Sequence, residues 1–98
     1  MDNRQGSVVA AVAPGPATFS FEAADVTGMH RVVAIDVQRS LPAGAVAKAL
    51  AARMALPENV PWALRDEQTS AYLDDAKPIG EQLQLGAKVT VTPKTHLG

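Results

Sequence analysis

The sequence predicts an α+β domain, a mixed sheet of four to five strands packed on one helix. Three observations predict it. Stretches near both ends alternate apolar and polar residues, the mark of half-buried strands. One stretch between them repeats its apolar residues every three to four positions. The chain has 98 residues, and much of its 47% hydrophobic content is alanine, with only four aromatic residues. That allows one small core, and a single helix on a single sheet is a layering that buries both apolar faces.

The first strand is read from "ATFSFEAAD", where Phe19 and Phe21 share one face and Thr18, Ser20 and Glu22 the other. Gly28 in "VTG" suits a hairpin turn, because glycine takes positive φ without a steric cost. The second strand follows in "HRVVAIDVQ". Val33, Ile35 and Val37 are expected on its inner face, with Val32, Ala34 and Asp36 outside. The helix lies in "LPAGAVAKALAARMALPENVP", opened near Pro42 or Gly44. Val46, Leu50 and Met54 form its buried stripe, Ala47 and Ala51 lie beside them, and Leu56-Pro57 closes it. "PWALRDEQ" gives a third strand, with Trp62 and Leu64 inward and Trp62 packed against the helix. A short apolar pair, Tyr72-Leu73, comes next, then a turn at Asp74-Asp75. Ile79, Leu83 and Leu85 lie in a compact connection. The last strand points Val89 and Val91 inward and Lys88, Thr90 and Thr92 outward. This order places the last strand parallel to the first at the sheet centre, which is the β-grasp arrangement.

Residues 1–16 read as a flexible tail that ends at "APGPA", or as a strand added to a sheet edge through Val8–Val12. Its apolar run is short for a signal peptide, so a cytoplasmic protein is expected. Nine basic and ten acidic residues are spread along the chain without a basic stripe, which argues against a nucleic-acid partner, and no stretch has the length of a membrane span. With no cysteine, the chain carries no thiolate nucleophile of its own. No metal or cofactor is expected. His30 and His96 lie far apart, and His30 is placed in solvent beside the hairpin turn. Asp66-Glu67 and Asp74-Asp75 are read as turn and surface residues rather than an acid/base pair, so no enzymatic activity is expected.

From Ala17 to the end, the chain resembles a ubiquitin-like protein. The layout of "AYLDDAKPIGEQLQLGAKVTVTPKTHLG" carries the likeness: a short strand and turn, a compact loop with Ile79 and Leu83, then a last strand running into a tail that ends in glycine. "LPENVPWALRDE" and the alanine-rich composition look more like bacterial ubiquitin-like proteins, some of which are encoded beside activating, conjugating and JAB-type deconjugating enzymes in antiviral operons. The resemblance implies a ubiquitin-like β-grasp domain over 17–93 and an extended tail over 94–98. It implies a protein modifier, activated at Gly98 by an adenylating enzyme with ATP, passed to a conjugating enzyme, joined to protein targets and released by a JAB-type protease. Lys94, Thr95, His96 and Leu97 would thread the partner's channel.

Ubiquitin-type tails, and those of sulfur carriers, usually end in two glycines. Leu97 stands in the penultimate place here, so a partner must tolerate leucine there. A non-covalent adaptor of the secretion-system kind and a sulfur carrier are the other β-grasp roles the resemblance admits. Four lysines, Lys48, Lys77, Lys88 and Lys94, are possible acceptors for a second copy or simply solubilising charge. The outer sheet face is expected to be polar, with Val32, Ala34 and Ala63 its only apolar members, and to bind generic ubiquitin-binding helices poorly.

Overall fold

The computed structural model describes residues 17–94. It is the expected α+β architecture, a mixed four-stranded sheet against one helix in the β-grasp order. Strands β1 (Thr18–Asp25) and β2 (Arg31–Gln38) form an antiparallel hairpin. Helix α1 (Ala43–Arg53) crosses to β3 (Trp62–Asp66), a single 3₁₀ turn covers Ile79–Glu81, and β4 (Lys88–Pro93) returns to the centre. The sheet order is β2-β1-β4-β3. β4 runs parallel to β1 and antiparallel to β3. The short strand expected around Tyr72 reduces to one bridge, Arg65 to Tyr72, on the far side of β3.

The core lies between sheet and helix. Phe19, Phe21 and Ala23 of β1, Leu64 of β3, and Val89 and Val91 of β4 meet Val46, Ala47, Leu50, Ala51 and Met54. Ile79 and Leu83 close one end, as expected. Leu85 does not join them. It sits in the turn that ends at Gly86 and is 76% exposed. Gly86 takes φ +76° in that turn, and the chain re-enters the core at once with Ala87 and Val89.

Pro42 precedes helix α1 in extended backbone, φ −61° and ψ 140°, and its carbonyl accepts the Ala45 and Val46 N–H groups of the first turn at 3.0 and 3.2 Å. The helix ends in a Schellman motif: Ala55 N–H donates to the Ala52 carbonyl (3.0 Å) and Leu56 N–H to the Ala51 carbonyl (2.9 Å). Ala55 holds the left-handed position of that motif at φ 57°, where glycine is usual. Pro57 then prevents the helix from resuming.

The inner and outer faces of β2 are the reverse of the expectation over most of its length. Phe21 stands opposite Ala34 and Ala23 opposite Val32, and directly opposed residues share a face. Val32 and Ala34 therefore pack on the core, and Val33 and Ile35 point away from it. Between the pairs Phe19–Val37 and Phe21–Ala34, β2 carries one more residue than β1. This is a β-bulge, and Asp36 absorbs it at φ 56°. The bulge returns Val37 to the core side. Four consecutive apolar residues, Val32 to Ile35, give no alternation from which the face can be read.

Candidate functional site

The predicted site is the carboxyl end. β4 brings the chain to it as a central strand, paired on both sides, so the approach is rigid. Pro93, which offers no N–H, is the last strand residue and pairs opposite Trp62. Trp62 is partly buried against the core, and its Nε1–H donates to the Pro57 carbonyl at 2.9 Å.

Lys94 is the one predicted tail residue that the structure describes, and it is held to the body. Its backbone N–H donates to the Pro61 carbonyl at 2.9 Å. Its Nζ forms an ion pair with Oδ2 of Asp75. Thr95, His96, Leu97 and Gly98 lie outside the described residues. So do residues 1–16, with the tail or edge strand expected there.

Asp75 is positioned by its surroundings. Its neighbour Asp74 makes a turn in which Oδ1 accepts the Ala76 N–H at 3.0 Å. The Gln82 amide braces that turn: Oε1 accepts the Asp74 N–H at 2.7 Å, and Nε2 donates to the Asp74 and Lys77 carbonyls. The Asp75 carbonyl accepts the Gly44 N–H at 3.0 Å in the first turn of α1. A Cβ on Gly44 would lie 3.0 Å from the Asp75 Cβ, so the absence of a side chain there permits the contact. Asp75 Oδ1 is buried with no hydrogen-bond partner among the described residues, which leaves Lys94 to answer the charge. Spacing in the sequence offered no signal for this pair, because Asp75 lies in a turn and Lys94 directly follows β4.

The other acidic candidates behave as turn residues. Asp66 Oδ1 accepts the Gln68 N–H at 3.0 Å, and Glu67 makes a long contact with Arg65 at 4.0 Å. His30 does more than face solvent. Its Nδ1–H donates to Asp25 Oδ2 at 2.8 Å, since a carboxylate can only accept. The Thr27 hydroxyl donates to Asp25 as well, and the His30 N–H reaches Oδ1 at 3.2 Å. Burial alone would raise the Asp25 pKa, but the bonds from the His30 ring, Thr27 and the His30 backbone outweigh it. The carboxyl is held at about 2, below the usual 3.8.

A second surface emerges where the sequence suggested none. Val33 is 63% exposed and Ile35 68%, both on the outer side of β2. Thr90, Thr92 and Ala63 also face outward, but they are buried, so the accessible apolar part of that face lies on its β2 side. The outer face is thus less polar than predicted, because Val33 and Ile35 replace Val32 and Ala34 there. Lys48, Lys77 and Lys88 are exposed, and Lys94 is half-buried in its ion pair. Among the described residues no group of three His, Cys, Asp or Glu side chains is arranged to hold a metal ion. No helix among them is long and apolar enough to cross a membrane.

No family model matches the chain, and no curated protein matches it at a significant level.

Proposed function

We propose that the protein is a ubiquitin-like modifier, activated at its Gly98 carboxylate by an ATP-dependent adenylating enzyme and then conjugated to target amines. What supports this reading most is the β-grasp body delivering its central strand β4 to Lys94, four residues before Gly98. A carboxylate is ionised at neutral pH and is a poor electrophile. Attack of its oxygen on the α-phosphorus of ATP would form an acyl adenylate and release pyrophosphate. A cysteine thiolate of the enzyme would then displace AMP, and a target amine would displace the thiol to leave an amide. The chain supplies the carboxylate and the fit, not the catalysis. A residue without Cβ at the reacting end lets a narrow channel close on the backbone. The biological setting implied by the resemblance is bacterial antiviral defence, with conjugating and JAB-type deconjugating enzymes as further partners.

The test is ATP–pyrophosphate exchange by a matched adenylating enzyme. Exchange that depends on this protein and disappears when Gly98 is removed is expected. Exchange that survives the deletion would contradict the reading.

One observation favours a second reading, a non-covalent adaptor: the apolar pair Val33 and Ile35 stands in solvent on the outer sheet face. In that case Val33→Asp with Ile35→Asp would abolish partner binding, and deleting 94–98 would leave it intact.

A further inference from the structure

We propose that Asp75 is a tether for Lys94 that fixes where the C-terminal residues leave the body, and so sets how far Gly98 can reach. The inference deepens the modifier reading and rests on it for its purpose, though not for its geometry. Three contacts converge at this point. β4 is paired with β3 up to Pro93 opposite Trp62. The Lys94 N–H is spent on Pro61. The Lys94 ammonium is spent on Asp75. Asp75 is itself pinned through its carbonyl to Gly44 at the start of α1, and through the Asp74 turn to Gln82. The anchor therefore belongs to the rigid body and not to a loose loop.

The buried, unpartnered Oδ1 of Asp75 gives the pair its direction. A carboxylate shielded from water on one side gains more from a nearby cation than a fully solvated one. Lys94 meets it from the last described position of the chain. With Lys94 held, Gly98 is four residues further along and within ~14 Å of chain. A partner enzyme must accept that reach or break the pair to lengthen it. Asp75 is thus a positioning residue, acting through Lys94 and touching no reacting atom.

Trypsin tests the tether without any partner enzyme, because the protease must take the Lys94 side chain into its own pocket to cut before Thr95. Loss of the terminal tetrapeptide is followed by intact mass in the full chain, with cleavage after Lys48 within α1 as the gauge of global unfolding. Asp75→Asn is expected to speed the cut after Lys94 about two- to fivefold relative to the cut after Lys48, the shift that a partly exposed ion pair supports. The wild-type protein in 1 M sodium chloride should approach the variant's rate, after correction for the effect of salt on a model peptide, while the variant's own rate stays constant. That arm needs no substitution and therefore cannot be confused with misfolding. Equal rates in wild type and Asp75→Asn, or no effect of salt on the wild type, would overturn the tether. Failure of Gly98 activation would overturn the modifier reading and leave the trypsin result standing.

Discussion

Arg39 and Gly80 lie against each other so closely that a Cβ built on Gly80 would fall 2.9 Å from the Arg39 Cα and overlap its Cβ. The two residues exchange hydrogen bonds, Gly80 N–H to the Arg39 carbonyl at 2.9 Å and Arg39 Nη2 to the Gly80 carbonyl at 2.8 Å. The Arg39 guanidinium carbon also stands 5.1 Å from the centre of the Phe19 ring. This contact ties the end of β2 to the 3₁₀ turn beside the core. Gly80→Ala should therefore destabilise the fold by about 2 kcal/mol, since the backbone and side-chain stem of Arg39 must both shift. Urea unfolding of the variant checks this, and a loss below ~0.5 kcal/mol would show that the contact yields easily.

At the other end of the helix a substitution should help. Ala55 occupies a left-handed position at φ 57° in the Schellman motif. An L-residue with a Cβ is strained there, and glycine is not. Glycine also gives the unfolded chain more freedom, which offsets part of the gain. Ala55→Gly is expected to stabilise the protein by about 0.5–1 kcal/mol net, raising its Tm by a few degrees. An unchanged or lower Tm would mean that the strain is absent.

The hairpin cluster predicts a pH dependence. Asp25 ionises at about 2 in the folded protein, below the ordinary value of 3.8. In that interval the unfolded chain binds the proton more readily than the folded one. The stabilisation from this carboxylate is therefore complete above pH ~4 and is lost as the pH falls toward ~2. Unfolding free energy measured across that window should drop more steeply in the wild type than in Asp25→Asn. Parallel curves would mean that Asp25 gains nothing from His30 and Thr27.

The reversed face of β2 is checked by substitution. Ile35→Thr should change stability by less than ~0.5 kcal/mol, because Ile35 is mostly exposed and threonine keeps a β-branched side chain. Val91→Ala, at a fully buried site, should cost about 2 kcal/mol. Comparable losses at the two positions would put Ile35 in the core.

These cases also separate what was legible in the sequence from what was not. Phe19 and Phe21 alternate with polar residues, so the face of β1 could be read. Val46, Leu50 and Met54 did the same for the helix stripe. In β2 an unbroken apolar run hid the alternation, and the bulge at Asp36 shifts the phase by one residue. Periodicity cannot register either effect. At the candidate site, the strand leading to Lys94 was readable from Val89 and Val91. The Asp75–Lys94 pair was not, because it depends on the Asp74 turn being set against Gly44 of α1 and the end of β4. The Asp25–His30 contact was within reach of inspection, since both residues flank one short hairpin turn.

The most direct measurement of the central claim is the intact mass of a matched adenylating enzyme incubated with ATP and this protein, before and after a thiol reductant. The account predicts a new species at the combined mass less one water, lost when excess thiol displaces the enzyme cysteine from the thioester and absent when Gly98 is deleted. An enzyme that activates its own cognate modifier in the same assay but never acquires this chain would contradict it.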